Sequence, residues 1–188
     1  QDLGDGEVRQ LAMSQAFRGM PMDDALELRE DEKYRDKVDG NFFHFFRKGG
    51  ANEVQERIYV NAGADYAPDV MQRIVQEILD NPEEYPGIAA AKIAGPGGVG
   101  ERCENIVIYT EGGEATQKAL AKIEEIRGTM PQGAFIDSVP AMTEQAGPGV
   151  ATAAEPTAYM QMYAKQSMGG KQSFGSLRSE LINRAIRE

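Results

Sequence analysis

Three side chains able to hold and orient an anion stand at alternate positions in "ERIYVNA": Arg57, Tyr59 and Asn61. A guanidinium, a phenol and a carboxamide together supply a fixed charge, a planar fork of donors and neutral hydrogen bonds. Alternation puts all three on one side of a strand and leaves Ile58 and Val60 on the other. A solvent-facing strand surface has the same pattern, but these residue types point to an anion. A second feature lies in "IAAAKIAGPGGVGER", where Lys92 interrupts an apolar run. Either the lysine stem is covered and its amine wet, or burial and nearby arginines favour the neutral amine and make it a base. The glycine-rich stretch after it matches neither GxxxxGK[ST] nor GxGxxG ahead of a helix, because a strand follows. Its expected role is a flap ending at Arg102, with a loose hairpin as the plain alternative.

Other candidates are weaker as bare patterns. His44 sits among four phenylalanines in "NFFHFFRK", which suits a core or edge histidine, with a supporting general acid held in reserve. Ser173 and Arg178 in "SFGSLR" stand at the start of the last helix, where free N–H groups and a guanidinium could receive an oxyanion. Capping serines and surface arginines are common there. Cys103 follows Arg102, which would favour thiolate, yet no histidine stands near it in sequence and it receives no catalytic role.

These residues need a scaffold, and the chain of 188 residues is long enough for one core or a core with an arm. A net charge of -10 argues against nucleic acid and against an anionic membrane surface. No apolar run approaches the ~18 residues of a membrane span. One cysteine and one histidine leave no zinc spacing, so no metal is expected. Residues 1–40 are charged with helical spacing at Val8, Leu11, Ala12 and Gln15, and again at Ala25, Leu26 and Leu28; "REDEKYRDK" reads as a solvated helix end or linker. "NFFHFFRKGG" and "QERIYVNAG" read as two strands of a hairpin. "APDVMQRIVQEILDN" has the spacing of an amphipathic helix, with Pro68 in its first turn. "IAAAKIA" and "ENIVIYT" read as strands, then a helix through Ile123 and Ile126, then a fifth strand in "GAFIDSV". Residues 140–172 read as loop with one short helix over 157–166, and Leu177, Leu181, Ile182 and Ala185 mark a final helix. The order predicts an α+β fold, an antiparallel or mixed sheet of about five strands packed against two or three helices. The domain division is a helical arm at 1–40 and an α+β domain at 41–188.

In order, "NFFHFFRK", "ERIYVNA…PDVMQRIVQEI", "AAKIAGPGG…ENIVIYTEGG", "PAMTEQAGPGVATAAEP" and "SFGSLR" resemble the HopPsyA-like family of type III secretion effectors, from about residue 41 onward. The family is similar to the lyase domains of class V lanthipeptide synthetases and, more distantly, to phosphothreonine lyases. That resemblance implies β-elimination of phosphate from a phosphorylated protein or peptide, without cofactor. It implies Lys92 as base, Arg57 as the basic position opening the lyase strand, and Tyr59 where that strand carries its histidine acid. A phenol, with an ordinary pKa of about 10, is a weaker acid than imidazole. Arg178 and Ser173 match a phosphate-gripping motif of the lanthipeptide-type members, and Arg102 has the right character for the same task. The resemblance also implies secretion into a host cell, with a chaperone bound through a preceding N-terminal region. The alternative is a bacterial cytoplasmic enzyme working beside a peptide-modifying kinase. Two other classes fit parts of the chain. A catalytically silent effector would bind a host protein through its Met-rich and loop surfaces. An ADP-ribosyltransferase would share the strand arginine and "SFGS" but needs a late Gln/Glu-x-Glu pair.

Overall fold

Period-two alternation in four segments builds the middle of the sheet. The computed structural model describes residues 8–12, 24, 27, 30–47 and 53–156. The chain divides into two units, Gln1–Ala153 and Ala154–Glu188, and the following concerns the first. The strands are β1 (Val8–Ala12), β2 (Phe42–Arg47), β3 (Glu56–Val60), β4 (Ile88–Ala94), β5 (Ile106–Thr110), β6 (Glu144–Gly147) and β7 (Val150–Ala154). They form one seven-stranded sheet in the order β1-β2-β4-β5-β3-β7-β6. β2 with β4, β4 with β5, and β5 with β3 all pair antiparallel. The helices are α1 (Glu32–Asp39), α2 (Ala67–Ile74), continued by a π-helical turn over Val75–Leu79, and α3 (Gly113–Thr129). The fold is α+β, as the order of elements predicts.

One face of the sheet is the core. Phe43, Phe45, Ile58, Val60, Ala91, Ile93, Ile106 and Ile108 are buried there, together with Val70, Met71, Ile74, Ile78 and Leu79 of α2 and its π turn and Ala119, Ile123 and Ile126 of α3. Arg47 shares the parity of Phe43 and Phe45 and is itself buried. Its Nη1 donates to the carbonyl of Leu79 at 3.1 Å and its Nη2 to that of Tyr85 at 2.6 Å. The guanidinium thus ties β2 to carbonyls at the end of the π turn and in the loop beyond it. Carbonyls at a helix end have no partner within the helix.

Several expectations are corrected. β2 and β3 are not a hairpin, because β4 and β5 lie between them. A short connector argues for adjacency, but the pairing is decided by two further strands of the same alternating type. Val8–Ala12 is a strand, antiparallel to β2, where helical spacing suggested a helix. Five residues are too few to separate the two periods. "GAFIDSV" makes only an isolated bridge between Ala62 and Phe135, and Ile136 is exposed. Within the segment read as loop, β6 and β7 form a hairpin instead. Its Pro148–Gly149 turn has Gly149 at φ 70°, the left-handed position that glycine supplies at little cost. Residues 157–188 lie outside the described residues, including the short helix over 157–166 and the final helix.

Replacing Arg47 by Met keeps the stem but leaves two buried carbonyls unpaired. The expected loss of stability is about 2–4 kcal/mol, read as a lower urea midpoint with an unchanged m-value.

Candidate functional site

The face opposite the core carries the chemistry, and a local irregularity in β4 decides which residues appear on it. Ile88, Ala90 and Lys92 would share a side in an unbroken strand. The pairing with β5 shifts between Ile88 and Ala90. The bulge reverses the parity: Ile88 enters the core, while Ala90, Lys92 and Ala94 turn to the other face. Bulge-bearing strands are common beside sites because one extra residue re-aims a side chain.

Register then sets the neighbours. One row across the sheet is His44, Lys92, Val107 and Tyr59, and the next is Phe46, Ala90, Tyr109 and Arg57. Small residues flank Lys92 along β4, which leaves room for rings from adjacent strands to lean over it. The Lys92 Nζ lies 4.3 Å from the Phe42 ring centre and 5.7 Å from that of Tyr109. The Arg102 guanidinium is 5.0 Å from the same Phe42 ring, and that of Arg57 is 5.1 Å from Tyr109. Three cations and two aromatic rings therefore alternate in the sequence Arg102, Phe42, Lys92, Tyr109, Arg57. Arg102 also pairs with Glu104 at 3.0 Å. Lys92, Arg57, Phe42 and Tyr109 are half-buried, Arg102 is exposed and Tyr59 is buried.

The remaining candidates are placed as follows. His44 stands directly across from Lys92 and stacks on Phe46 with ring centres 5.5 Å apart. Burial, and then the charge of Lys92, lower its pKa to about 4, so it is neutral at pH 7. Asn61 turns its amide to Ser138, donating to the hydroxyl at 2.7 Å and the carbonyl at 3.1 Å. It thereby fixes the loop after α3. Cys103 donates to Glu104, and burial and that carboxylate push its pKa up, the reverse of the thiolate that Arg102 suggested. Ser173 and Arg178 lie outside the described residues. The glycine segment after β4 is tied down by backbone bonds from Gly95 to Asn41 and from Gly97 to Asp39. A side chain on Gly95 would meet the carbonyls of Val38, Asp39 and Asn41.

Phe42 and Tyr109 are the residues that the motif reading missed. Their signal was present, since Tyr109 shares the outer parity of "IVIYT" and Phe42 that of His44. Among the described residues no cluster of three or more His, Cys, Asp or Glu side chains is placed to hold a metal ion. A cavity of about 700 Å3 lies on the opposite, core side between α2 and the sheet, lined by Phe43, Phe45, Met71, Val75, Ile93 and Val99 among others. It is mostly apolar, with Gln72, Gln76 and Asp80 among its lining, and holds none of the cations. What the outer face can do is receive a compact dianion on a cationic row, with an amine and a neutral imidazole beside it.

The model of the HopA1 effector protein family matches residues 34–188. The solved effector protein from Pseudomonas syringae pv. tomato strain DC3000 is similar with TM-score 0.64 and 18% identity, over 98% of this chain and 66% of its own. This chain thus spans just under two thirds of that effector. The effector protein from Pseudomonas syringae pv. syringae strain 61 gives 0.57 and 16%, over 96% and 76%. Both show a shared fold. The type III effector and phosphothreonine lyase OspF from Shigella flexneri gives 0.44 and 14%, over 66% and 69%. No curated protein matches the chain.

If Tyr109 holds two cations at once, Tyr109→Leu weakens binding of inorganic phosphate by about threefold to tenfold, the loss of two exposed cation–π contacts. Tyr109→Phe keeps the ring and both of its cation contacts, and its loss is smaller than that of Tyr109→Leu. Calorimetric titration with phosphate at low ionic strength distinguishes the two.

Proposed function

The chain belongs to the HopA1 effector protein family, and we propose that it removes phosphate from phosphoserine or phosphothreonine in a protein or peptide by β-elimination. The observation that carries this reading is the row of Arg102, Lys92 and Arg57 joined through Phe42 and Tyr109. Arg57 and Arg102 hold the phosphate dianion by charge-assisted hydrogen bonds. Lys92, between them, takes the α-proton as the amine. The electron pair released at the α-carbon forms the double bond to the β-carbon, and the C–O bond breaks with its pair going to the phosphate oxygen. Fixed cations at that oxygen stabilise the charge as it develops. The resemblance to lyase strands puts the acid at Tyr59, in the row of Lys92 with Val107 between. Ser173 and Arg178 remain proposed phosphate ligands from the same resemblance.

As part of the same proposal, the protein is delivered into a host cell, where phosphorylated proteins are its substrates. Arg57 and Lys92 share a face and a ring, which favours this chemistry over a silent binding surface with its cations dispersed.

Phosphopeptides incubated with the protein should lose about 98 Da by elimination, against about 80 Da for hydrolysis. Lys92→Ala lowers turnover by at least about 100-fold. Arg57→Ala raises KM more than it lowers kcat. Intact-mass spectrometry reads both, and a parent that gives neither loss on any phosphopeptide rejects the proposal.

A further inference from the structure

We infer that Glu104 selects substrates with a lysine or arginine beside the phosphoamino acid, a cation that replaces Arg102 at the Glu104 carboxylate. This rests on the lyase reading and names the class of peptide that the reading leaves open. The starting observation is a carboxylate already engaged at the end of the anion row. Glu104 Oε1 accepts from Arg102 Nη2 at 3.0 Å, and its Oε2 accepts from the Cys103 thiol at 3.3 Å. The backbone that carries this carboxylate is fixed by the next residue. Asn105 is wholly buried; its side-chain amide accepts from the Ala62 N–H at 2.9 Å and donates to the Ala62 carbonyl at 2.7 Å. The Arg102 stem packs against Gly98, where an added Cβ would stand 3.6 Å from its Cδ. Its head lies between the Phe42 ring and Glu104, and Lys92 shares that ring.

Phosphate arriving on the row takes the Arg102 guanidinium by charge-assisted bonds. Glu104 then loses its cation while it stays half-buried beside Cys103. An unpaired, partly desolvated carboxylate weakens binding unless another cation meets it. Arg102 is the one basic residue between Gly95 and Asn105, so this segment supplies no second cation of its own. The opposite end of the row differs. Glu56, next to Arg57, accepts from the Thr116 hydroxyl at 2.6 Å, so its carboxylate is turned to α3.

A basic flank lets two ion pairs exchange partners: phosphate joins Arg102, and Glu104 joins the substrate. Long, flexible stems allow that cation to come from a neighbouring position of an extended peptide. A neutral flank leaves Glu104 unpaired, and an acidic one adds repulsion. Inorganic phosphate brings no cation, so after elimination Glu104 reclaims Arg102 and the product leaves. The net charge of -10 acts in the same direction by drawing basic sequences toward the protein.

Phosphothreonine peptides that differ only in a flanking lysine, alanine or glutamate are given together to the intact protein. Mass spectrometry then times the loss of about 98 Da from each. The lysine peptide should be consumed about twofold to fivefold faster than the alanine peptide, with the glutamate peptide slowest. Glu104→Gln should erase that order and tighten inorganic phosphate by a similar factor in calorimetric titration. Glu101→Gln, which removes an equal charge from an exposed neighbour, should leave the order intact. Equal consumption of all three peptides by the parent rejects the inference and leaves the lyase reading standing. So does an order that survives Glu104→Gln, or that Glu101→Gln erases as well, because the effect then belongs to overall charge. If no peptide is eliminated, the lyase reading falls and binding of the matching phosphonate peptides, which cannot eliminate, decides the inference. A lysine preference present in the parent and lost in Glu104→Gln upholds it; no preference rejects both.

Discussion

The parity of β4 is the constraint on which the site depends. Side chains along a strand alternate between faces, so a one-residue slip sends every one of them to the wrong side. Here the slip is built in between Ile88 and Ala90 and is used once. Before it, Ile88 joins the core; after it, Ala91 and Ile93 do, and Lys92 faces outward. Without the bulge, Lys92 could face outward only if Ile88 did so too, or Ile88 be buried only with the lysine. Burying an unpaired ammonium costs far more than exposing one isoleucine. The bulge removes that conflict.

A row of three cations in a protein of net charge -10 also needs a reason to persist. Lys92 and Arg57 are at most about 11 Å apart, judged from their distances to the shared Tyr109 ring. Across the full 11 Å their repulsion is about 1–2 kcal/mol for an effective dielectric of ~20, and it is larger at any shorter separation. Each cation–π contact returns about 0.5–1 kcal/mol at such half-exposed positions. The ring contacts offset part of that repulsion. An arriving dianion meets cations set against ring faces, which attract a positive charge without neutralising it. Arg102 is paired with Glu104, which must be displaced or shared.

The sequence is legible where period and side-chain type agree. Alternation at Ile58 and Val60 separates Arg57 and Tyr59 from the core, and the spacing of Val70, Met71, Ile74, Ile78 and Leu79 gives α2 and its continuation. What it does not carry is adjacency between strands far apart in the chain. Phe42 and Tyr109 looked like ordinary strand aromatics because each acquires its role only when β4 brings Lys92 between them. His44 looked like a core residue among phenylalanines, yet those phenylalanines alternate. Phe43 and Phe45 face inward, while Phe42 and Phe46 share its outer side. An aromatic run hides its parity because both faces read as apolar.

The outermost cation rests on contacts that are local to neither strand. Arg102 reaches Phe42 because the chain leaving β4 turns tightly against the end of α1, where Gly97 and Gly95 donate to the carbonyls of Asp39 and Asn41. The bond from Gly97 crosses the expected boundary at residue 40 between arm and domain, and the bond from Gly95 stays within the domain. The closeness is possible only without a Cβ at Gly95, where added carbon would lie 2.7 Å from two carbonyl oxygens. The glycines that suggested a freely bending flap thus act as a close-packed joint. Their conformational freedom is spent on approach, and the position of Arg102 over Phe42 follows from where α1 stops.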